Sequence, residues 1–185
     1  NEITYGAEVM TRDIRGRVLA LRHLGRPLRD GLALPAEDFY PEADAYLENY
    51  AGLRAIAFAD AGFVARYVAP EHRSRMIGRS IADVRPTPRA ALEQARDNRI
   101  TSVSAPIELV DGSGRGFLVF VPLFHADEFQ GLIVVVFNAD VWLSQLFFRE
   151  TPVEFMPHHA VQVRMQGQVL FQSSDFDSVG GAAYR

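Results

Sequence analysis

Three strand-type runs follow one another over residues 102–137, and only short turn signals separate them. Asp-Gly-Ser-Gly at 111–114, a strong hairpin signal, joins the runs 102–110 and 116–124. His-Ala-Asp-Glu then leads into 130–137, the most apolar run of the chain. Strands joined by so few residues pair antiparallel, because a parallel crossover takes about a dozen residues or more. This region therefore predicts an antiparallel sheet with its last strand near the centre.

An earlier pair of strand-type runs covers 53–60 and 63–69, with an Asp-Ala-Gly turn between them and Pro70 behind them. Helices are predicted around these strands, over 34–50, 71–82, 87–98 and 141–148. Alternating apolar residues in 160–172 predict a small second hairpin. The order of these elements predicts an α+β fold, with a five-stranded antiparallel sheet under a helical cover and a small C-terminal hairpin.

Residues 3–28 carry a seven-residue apolar repeat and are predicted to form one long helix that ends near Pro27. The apolar seam of this helix consists of Ile3, Ala7, Met10, Ile14, Leu21, Leu24 and Leu28. Arg17 is the single charged residue at a seam position. We interpret the helix as a stalk with a dimer contact through Ile14, Leu21 and Leu28. Packing of the helix on its own domain is the alternative.

All 19 basic residues are arginine, and the net charge of −4 argues against nucleic acid as the main partner. Residues 71–100 hold seven arginines against four acids, and residues 1–30 hold six against four. The simplest interpretation of such runs is solvated helix faces. The absence of cysteine excludes disulfides, thiolate catalysis and cysteine-built metal sites.

No run of the chain reaches about 18 uninterrupted apolar residues, so the sequence predicts no membrane span within it. The chain begins at Asn1 rather than at methionine, and it carries no signal-peptide pattern. We therefore expect it to be an excised fragment of a longer protein, with membrane anchors or a targeting signal outside it.

Candidate catalytic groups are few in this sequence. The adjacent His158 and His159 point in different directions in any regular structure, so they are not expected to share a metal ion. Gly-x-Ser-x-Gly, phosphate-loop and dinucleotide motifs are absent from the sequence. We therefore predict no metal and no cofactor, and an extracytoplasmic enzyme is a minor alternative to a binding domain.

Several short motifs resemble those of CHASE domains and occur in the same order. Residues 89–99, Arg-Ala-Ala-Leu-Glu-Gln-Ala-Arg-Asp-Asn-Arg, resemble the arginine-alanine helix of that family, and 102–109 resemble its next strand. Val-Pro-Leu-Phe at 121–124 is similar to the family's Phe-Pro-Val-Tyr, and Gln-Gly-Leu-Ile at 130–133 to its Gly-Phe-Val strand. The resemblance covers about residues 30–175, and the related Cache family shares the same topology.

The resemblance implies a PAS-like ligand-sensing domain in the periplasmic part of an inner-membrane receptor, with a histidine kinase or diguanylate cyclase output. We accordingly divide the chain into a stalk/dimerisation helix (1–30), the sensing domain (31–150) and a membrane-proximal hairpin region (151–185). The short segment 70–86 and the reduced second sheet depart from the family pattern. A ligand-free dimerisation or protein-interaction module of a membrane receptor is the main alternative.

The candidate ligand-binding residues lie on the predicted sheet and on its helical cover. They are Tyr67, Arg73, Arg75, Arg79, Ser104 and Phe120. Tyr67 is expected to share a strand face with Phe63, Ala65 and Ala69, where small neighbours leave room for a ligand. The guanidinium group binds carboxylates with two parallel hydrogen bonds, so we predict a small carboxylate or similar anion as ligand. Core packing of the aromatic residues and solvation of the three arginines are the alternatives.

Overall fold

The computed structural model describes residues 2–71, 75–84, 88–109, 112–150 and 162–172. Its helices are α1 Glu2–Leu21, α2 Arg26–Arg29, α3 Ala36–Asn49, α4 Arg89–Asn98 and α5 Ala139–Glu150. Its strands are β1 Leu53–Asp60, β2 Ala65–Ala69, β3 Ser102–Val103, β4 Ile107–Glu108, β5 Arg115–His125, β6 Glu128–Asn138, β7 Gln162–Met165 and β8 Gln168–Gln172. The histidines at 158 and 159 lie outside the described residues.

The main sheet is antiparallel and has the strand order β2-β1-β6-β5-β3, with β4 also paired to β5. β6 pairs with both β1 and β5, so the most apolar strand lies at the centre of the sheet. β7 and β8 form a separate hairpin. The predicted α+β fold with a PAS-like antiparallel sheet, helical cover and small C-terminal hairpin is confirmed.

The predicted strand over 102–110 is interrupted. Among the described residues, only Ser102–Val103 and Ile107–Glu108 pair with β5 there. The Ser104 hydroxyl donates to the Ala105 carbonyl, and Pro106 has no N–H to offer the ladder. The sheet therefore contains six strands rather than five.

The long helix predicted over 3–28 ends early. α1 ends at Leu21, residues 22–25 form a turn, and the short α2 follows with Pro27 in its first turn. Gly25 lies so close to Leu123 of β5 that a Cβ atom at position 25 would collide with that side chain. The turn thus brings the chain back onto the sheet, where a continuous helix would lead away from it.

The apolar seam of α1 packs on its own domain over the described residues. Leu21 is completely buried and Leu24 nearly so, while Met10, Ile14 and Leu28 pack against the same core. Leu21 and Leu28 therefore do not form an exposed dimer seam, contrary to our interpretation of the heptads. Heptad spacing produces an apolar face, but it does not determine whether that face meets a second copy or the chain's own sheet.

The helix predicted over 71–82 does not form in the described part of that segment. Residues 75–78 form turns, and only Ile81–Asp83 makes a short 3-10 helix. The backbone instead bonds to the edge of β2, with Ala65 N donating to Arg79 O at 2.9 Å and Gly78 N donating to Ala65 O at 2.8 Å. Gly78 has φ +79°, which ends any helical run and suits glycine.

The sheet separates two hydrophobic cores. The large core lies on the face covered by α1, α3 and α5, and its largest buried side chains include Trp142, Phe39, Phe117 and Phe137. The small core lies on the opposite face under α4 and the 3-10 helix, and Leu92 and Phe120 are fully buried in it. Within the described residues, no helix is both long and apolar enough to cross a membrane.

Candidate ligand-binding face

The small core is lined by small side chains from both of its layers. Six of its thirteen buried members are alanines: Ala57, Ala59, Ala65, Ala82, Ala91 and Ala95. Three of them belong to β1 and β2, and three belong to the covering segment. Alanine lets the cover approach the sheet closely, and it leaves little side-chain volume between the two layers. The candidate ligand-binding face predicted from the sequence is this covered side of the sheet, and its two layers are closely packed.

α4 is held over this face by its apolar side and by one buried hydroxyl. Ala91, Leu92 and Ala95 face the sheet. The buried Ser102 donates its hydroxyl to the Ala91 carbonyl at 2.5 Å, which ties the first turn of α4 to β3. The helix ends at Arg99, which has φ +55°.

Ser104 is buried, and its hydroxyl makes two hydrogen bonds to the backbone. Its hydroxyl accepts the Leu118 N–H at 2.9 Å and donates to the Ala105 carbonyl at 2.7 Å. The hydroxyl therefore replaces a missing rung of the ladder between β3 and β5 instead of pointing at open space. Phe120 has no exposed surface and forms part of the small core, so it lies at the base of the candidate face.

Tyr67 lies on the opposite face of the sheet from Phe120. The register between β1 and β2 pairs Phe58 with Tyr67 and Ala59 with Ala65, so Arg66 is an extra residue in a β-bulge. Ala65 therefore faces the small core, whereas Tyr67 packs on the large core and donates its hydroxyl to the Leu34 carbonyl at 3.0 Å. The expectation that these two side chains share a face is wrong, because a bulge shifts the alternation by one residue.

The predicted arginines lie at the cover of the small core. Arg75 and Arg79 are exposed to solvent, and Met76 and Ile81 from the same segment pack into the small core. The structure thus brings Phe120 and Ser104 to the covered face and places these two arginines outside it. Arg73 lies outside the described residues.

An aromatic rim with two arginines, not anticipated from the sequence, lies at one end of the small core. Phe129 is 5.9 Å from Phe63 and 5.4 Å from Phe124 between ring centroids. The guanidinium of Arg96 lies 5.5 Å from the Phe63 ring, and that of Arg99 lies 4.8 Å from the Phe124 ring. These residues come from the turn before β2, from the two strands that flank the turn at 126–127, and from the end of α4, so no local spacing could reveal the cluster.

Asp60 closes the turn next to this rim. Its carboxylate accepts the Gly62 N–H at 2.9 Å and the Val64 N–H at 3.1 Å, and Arg66 Nε donates to its other oxygen at 2.6 Å. Partial burial acts to raise the pKa of Asp60, but the bonds from Val64, Arg66 and Gly62 together lower it below the ordinary value. Phe63 follows in the left-handed region with φ +63°, an uncommon conformation for a bulky side chain.

Two open clefts lie away from the small core. A cleft of about 560 Å³ lies between α2 and α3, and its lining includes Leu24 and Leu34 together with His23, Arg26, Glu37 and Glu42. A cleft of about 360 Å³ separates β4 from the C-terminal hairpin. Among the residues that the structure describes, no group of three or more histidine, aspartate or glutamate side chains is placed to hold a metal ion.

Solved structures of two sensor proteins have the same fold. The extracellular ligand binding receptor from Desulfohalobium retbaense DSM5692 matches with a TM-score of 0.69 and 18% identity, over 93% of this chain and 30% of that chain. The ligand-binding domain of the amino acid chemoreceptor PctC from Pseudomonas aeruginosa PAO1, in complex with GABA, matches with a TM-score of 0.58 and 16% identity. That match covers 90% of this chain and 70% of the chemoreceptor domain. This chain thus spans less than a third of the first of these two proteins.

Family membership follows from the sequence itself. No curated protein matches the chain. The model of the CHASE domain matches residues 35–171, which include the whole main sheet and the C-terminal hairpin apart from its last residue. The chain therefore belongs to the CHASE domain family of sensor domains.

Proposed function

We propose that this chain is the extracytoplasmic ligand-sensing domain of a bacterial transmembrane receptor with a histidine kinase or diguanylate cyclase output. We place the ligand between the sheet and its cover, which consists of residues 75–84 and α4, on the small core. The observation that carries this proposal is the alanine lining of both layers. Three backbone bonds hold residues 78–81 to residues 63–65 at the β2 edge. We infer that this part of the cover opens without disrupting the pairing of the central strands.

A small carboxylate is the ligand class that this face favours. Arg75 and Arg79 are exposed on the covering segment and have no ion pair with another described residue. Closure of the segment over a bound anion would bring a guanidinium to it, where two parallel hydrogen bonds match the carboxylate. Phe120 then supplies the apolar base, and Ser104 shapes the strand beneath it. Tyr67 is not part of this site, because it lies on the other face.

The experiment is calorimetric titration of this chain with a panel of small carboxylates. The panel includes GABA, which the chemoreceptor structure contains, and butyrate, which lacks the amine. We expect at least one member to bind, and Arg75→Ala to weaken its binding about tenfold or more, as loss of a charged hydrogen bond does. Arg12→Ala, on an exposed position of α1, is the matched control and should bind as wild type does.

Equal affinity in wild type and Arg75→Ala would remove Arg75 from the site.

A ligand-free interaction module is the second candidate function. The filled small core favours it, since Leu92, Phe120 and Leu132 have no exposed surface. Absence of binding across the whole panel would support that candidate.

We further propose that the receptor domain acts as a homodimer through α1. Because Leu21 is inside the domain, the contact must use the outward face of the helix, where Leu19 is 64% exposed. Gly16 lies one turn before it, and an added Cβ there would meet nothing within 4 Å. The signal from the ligand would leave the domain through this helix.

A further inference from the structure

Arg17, the one charged residue at a seam position of α1, points into the domain. Its side chain is only 13% exposed. Arg17 Nε donates to Asp13 Oδ2 at 2.7 Å, and Nη1 donates to the Ala51 carbonyl at 3.1 Å. The guanidinium also lies 5.3 Å from the centre of the Tyr50 ring. A charge removed from water needs such partners, and here they come from α1 and from the turn after α3.

The same carboxylate oxygen binds a second donor from a distant part of the chain. Trp142 Nε1 of α5 donates to Asp13 Oδ2 at 2.6 Å. Gly52 allows this approach, because a Cβ at position 52 would lie 2.8 Å from the Trp142 Cα. Asp13 Oδ2 therefore joins α1 and α5, and Arg17 joins both to the turn before β1.

Trp142 continues the connection into the sheet. Its ring packs edge-on against Phe117 of β5 at 5.3 Å and Phe137 of β6 at 5.8 Å. Phe117 faces the large core, while the next residue along β5, Leu118, faces the small core. A displacement of β5 on the candidate ligand face must therefore move the ring that supports Trp142, because adjacent residues share one backbone.

We propose that Asp13, Arg17 and Trp142, which we call the Asp13 joint, transmit displacement of β5 and β6 to α1. Two bonds cross from α1 to the rest of the domain, Trp142 Nε1 to Asp13 Oδ2 and Arg17 Nη1 to the Ala51 carbonyl. The helix α1 therefore cannot slide by one residue, about 1.5 Å, without straining both of these bonds. Apolar packing alone would tolerate such a slide more readily. As a route for a ligand signal the joint rests on the proposed function, but its mechanical part is testable without a ligand.

The first test asks whether the bond holds α1. Hydrogen exchange of α1 amides is measured by mass spectrometry in wild type, Asp13→Ala, Trp142→Phe and the double variant. Trp142→Phe keeps an aromatic ring, but it removes the N–H donor together with part of the buried indole. We expect each single variant to speed exchange in α1 about tenfold, and the double variant to add little, because both remove the same bond. Arg12→Gln, exposed on α1, should exchange as wild type does.

The second test asks whether the sheet is coupled to α1 through the joint. Phe120→Leu perturbs the small core, and Val134→Ala replaces it if the first variant does not fold. We expect either change to speed α1 exchange in the wild-type background and to have no such effect in Trp142→Phe. Trp142 is the only tryptophan, so its emission maximum should also shift in Phe120→Leu.

Unchanged α1 exchange in Asp13→Ala, or equal effects of Phe120→Leu in both backgrounds, would overturn the joint. Neither result depends on finding a ligand. Failure of the calorimetric panel therefore leaves the joint standing, and failure of the exchange tests leaves the proposed ligand face standing.

Discussion

Asp60 shows how one carboxylate can set the geometry of a turn. Three hydrogen bonds from Gly62, Val64 and Arg66 converge on it. They hold the chain in the turn that leads to Phe63 and to the bulge at Arg66. The lowered pKa of Asp60 means that folding stabilises the ionised form. The sequence indicates a turn here, but the bonds to Asp60 depend on the strand pairing that follows.

We predict that Asp60→Asn lowers the free energy of unfolding by about 1 kcal/mol near pH 7. A carboxylate whose pKa is lower in the folded state stabilises above its unfolded pKa, about 3.9, and this contribution is lost as the pH falls through the folded pKa. The free energies of unfolding of the two proteins should therefore differ near neutrality. The difference should begin to shrink as the pH falls below about 4 and should vanish below the folded pKa of Asp60. Urea unfolding across this pH range measures the difference, and a constant difference at all pH values would contradict the assignment.

At the scale of elements, two glycines differ in what their elements require of them. Gly131 opens the apolar half of β6 at φ +142°, and a Cβ atom there would collide with the Ala59 carbonyl of the neighbouring strand. Gly16 lies inside α1, where an added Cβ would meet nothing within 4 Å. The first glycine is required by the close approach of two strands, and the second is a weak point in a helix.

We predict that Gly131→Ala lowers the free energy of unfolding by about 3 kcal/mol, because it adds both backbone strain and a clash. Its matched control, Gly16→Ala, should raise that free energy by about 1 kcal/mol, since alanine is the better helix former. Thermal and urea unfolding of the two variants provide the measurement. A stabilised Gly131→Ala would contradict the described pairing of β1 with β6.

The local sequence pattern predicted the type of most helices and strands, but it did not predict every boundary or the sheet face on which each side chain lies. The turns 111–114 and 125–128 and the central position of β6 were predicted from composition and apolar runs. The bulge at Arg66 was not, and it alone moves Tyr67 away from the candidate site. The helix predicted over 71–82 is replaced by pairing with the β2 edge. Both outcomes depend on a neighbouring strand, which local periodicity does not include.

At the scale of the whole molecule, association with a second copy would involve the outward face of α1, which combines an exposed apolar residue with several arginines. Leu19 is exposed between Arg12, Arg15 and Arg22, and these arginines have no ion pair with another described residue. Two copies joined through this face would bring like charges together. Salt screens such repulsion over about 8 Å at physiological ionic strength, so the proposed dimer should be sensitive to salt.

We predict that this chain self-associates more strongly at about 0.5 M than at about 0.05 M sodium chloride, because screening removes the arginine repulsion. Leu19→Arg should remain monomeric at both concentrations, since it replaces the apolar contact with a further charge. Sedimentation equilibrium measures both. A monomeric wild type at high salt and high protein concentration would speak against a dimer through α1.

The sequence by itself determined the antiparallel arrangement of the strands, the apolar central strand and the membership of a sensor family. Apolar runs, turn signals and the order of short motifs along the chain are sufficient to predict these features. Only the tertiary structure decided which faces meet. It buries the heptad seam in its own domain, separates Tyr67 from Ser104, and gives Arg17 an internal role beside Asp13 and Trp142. The physical reason is range: alternation and heptads act between neighbours, whereas bulges, shared carboxylates and core contacts join residues far apart in the chain.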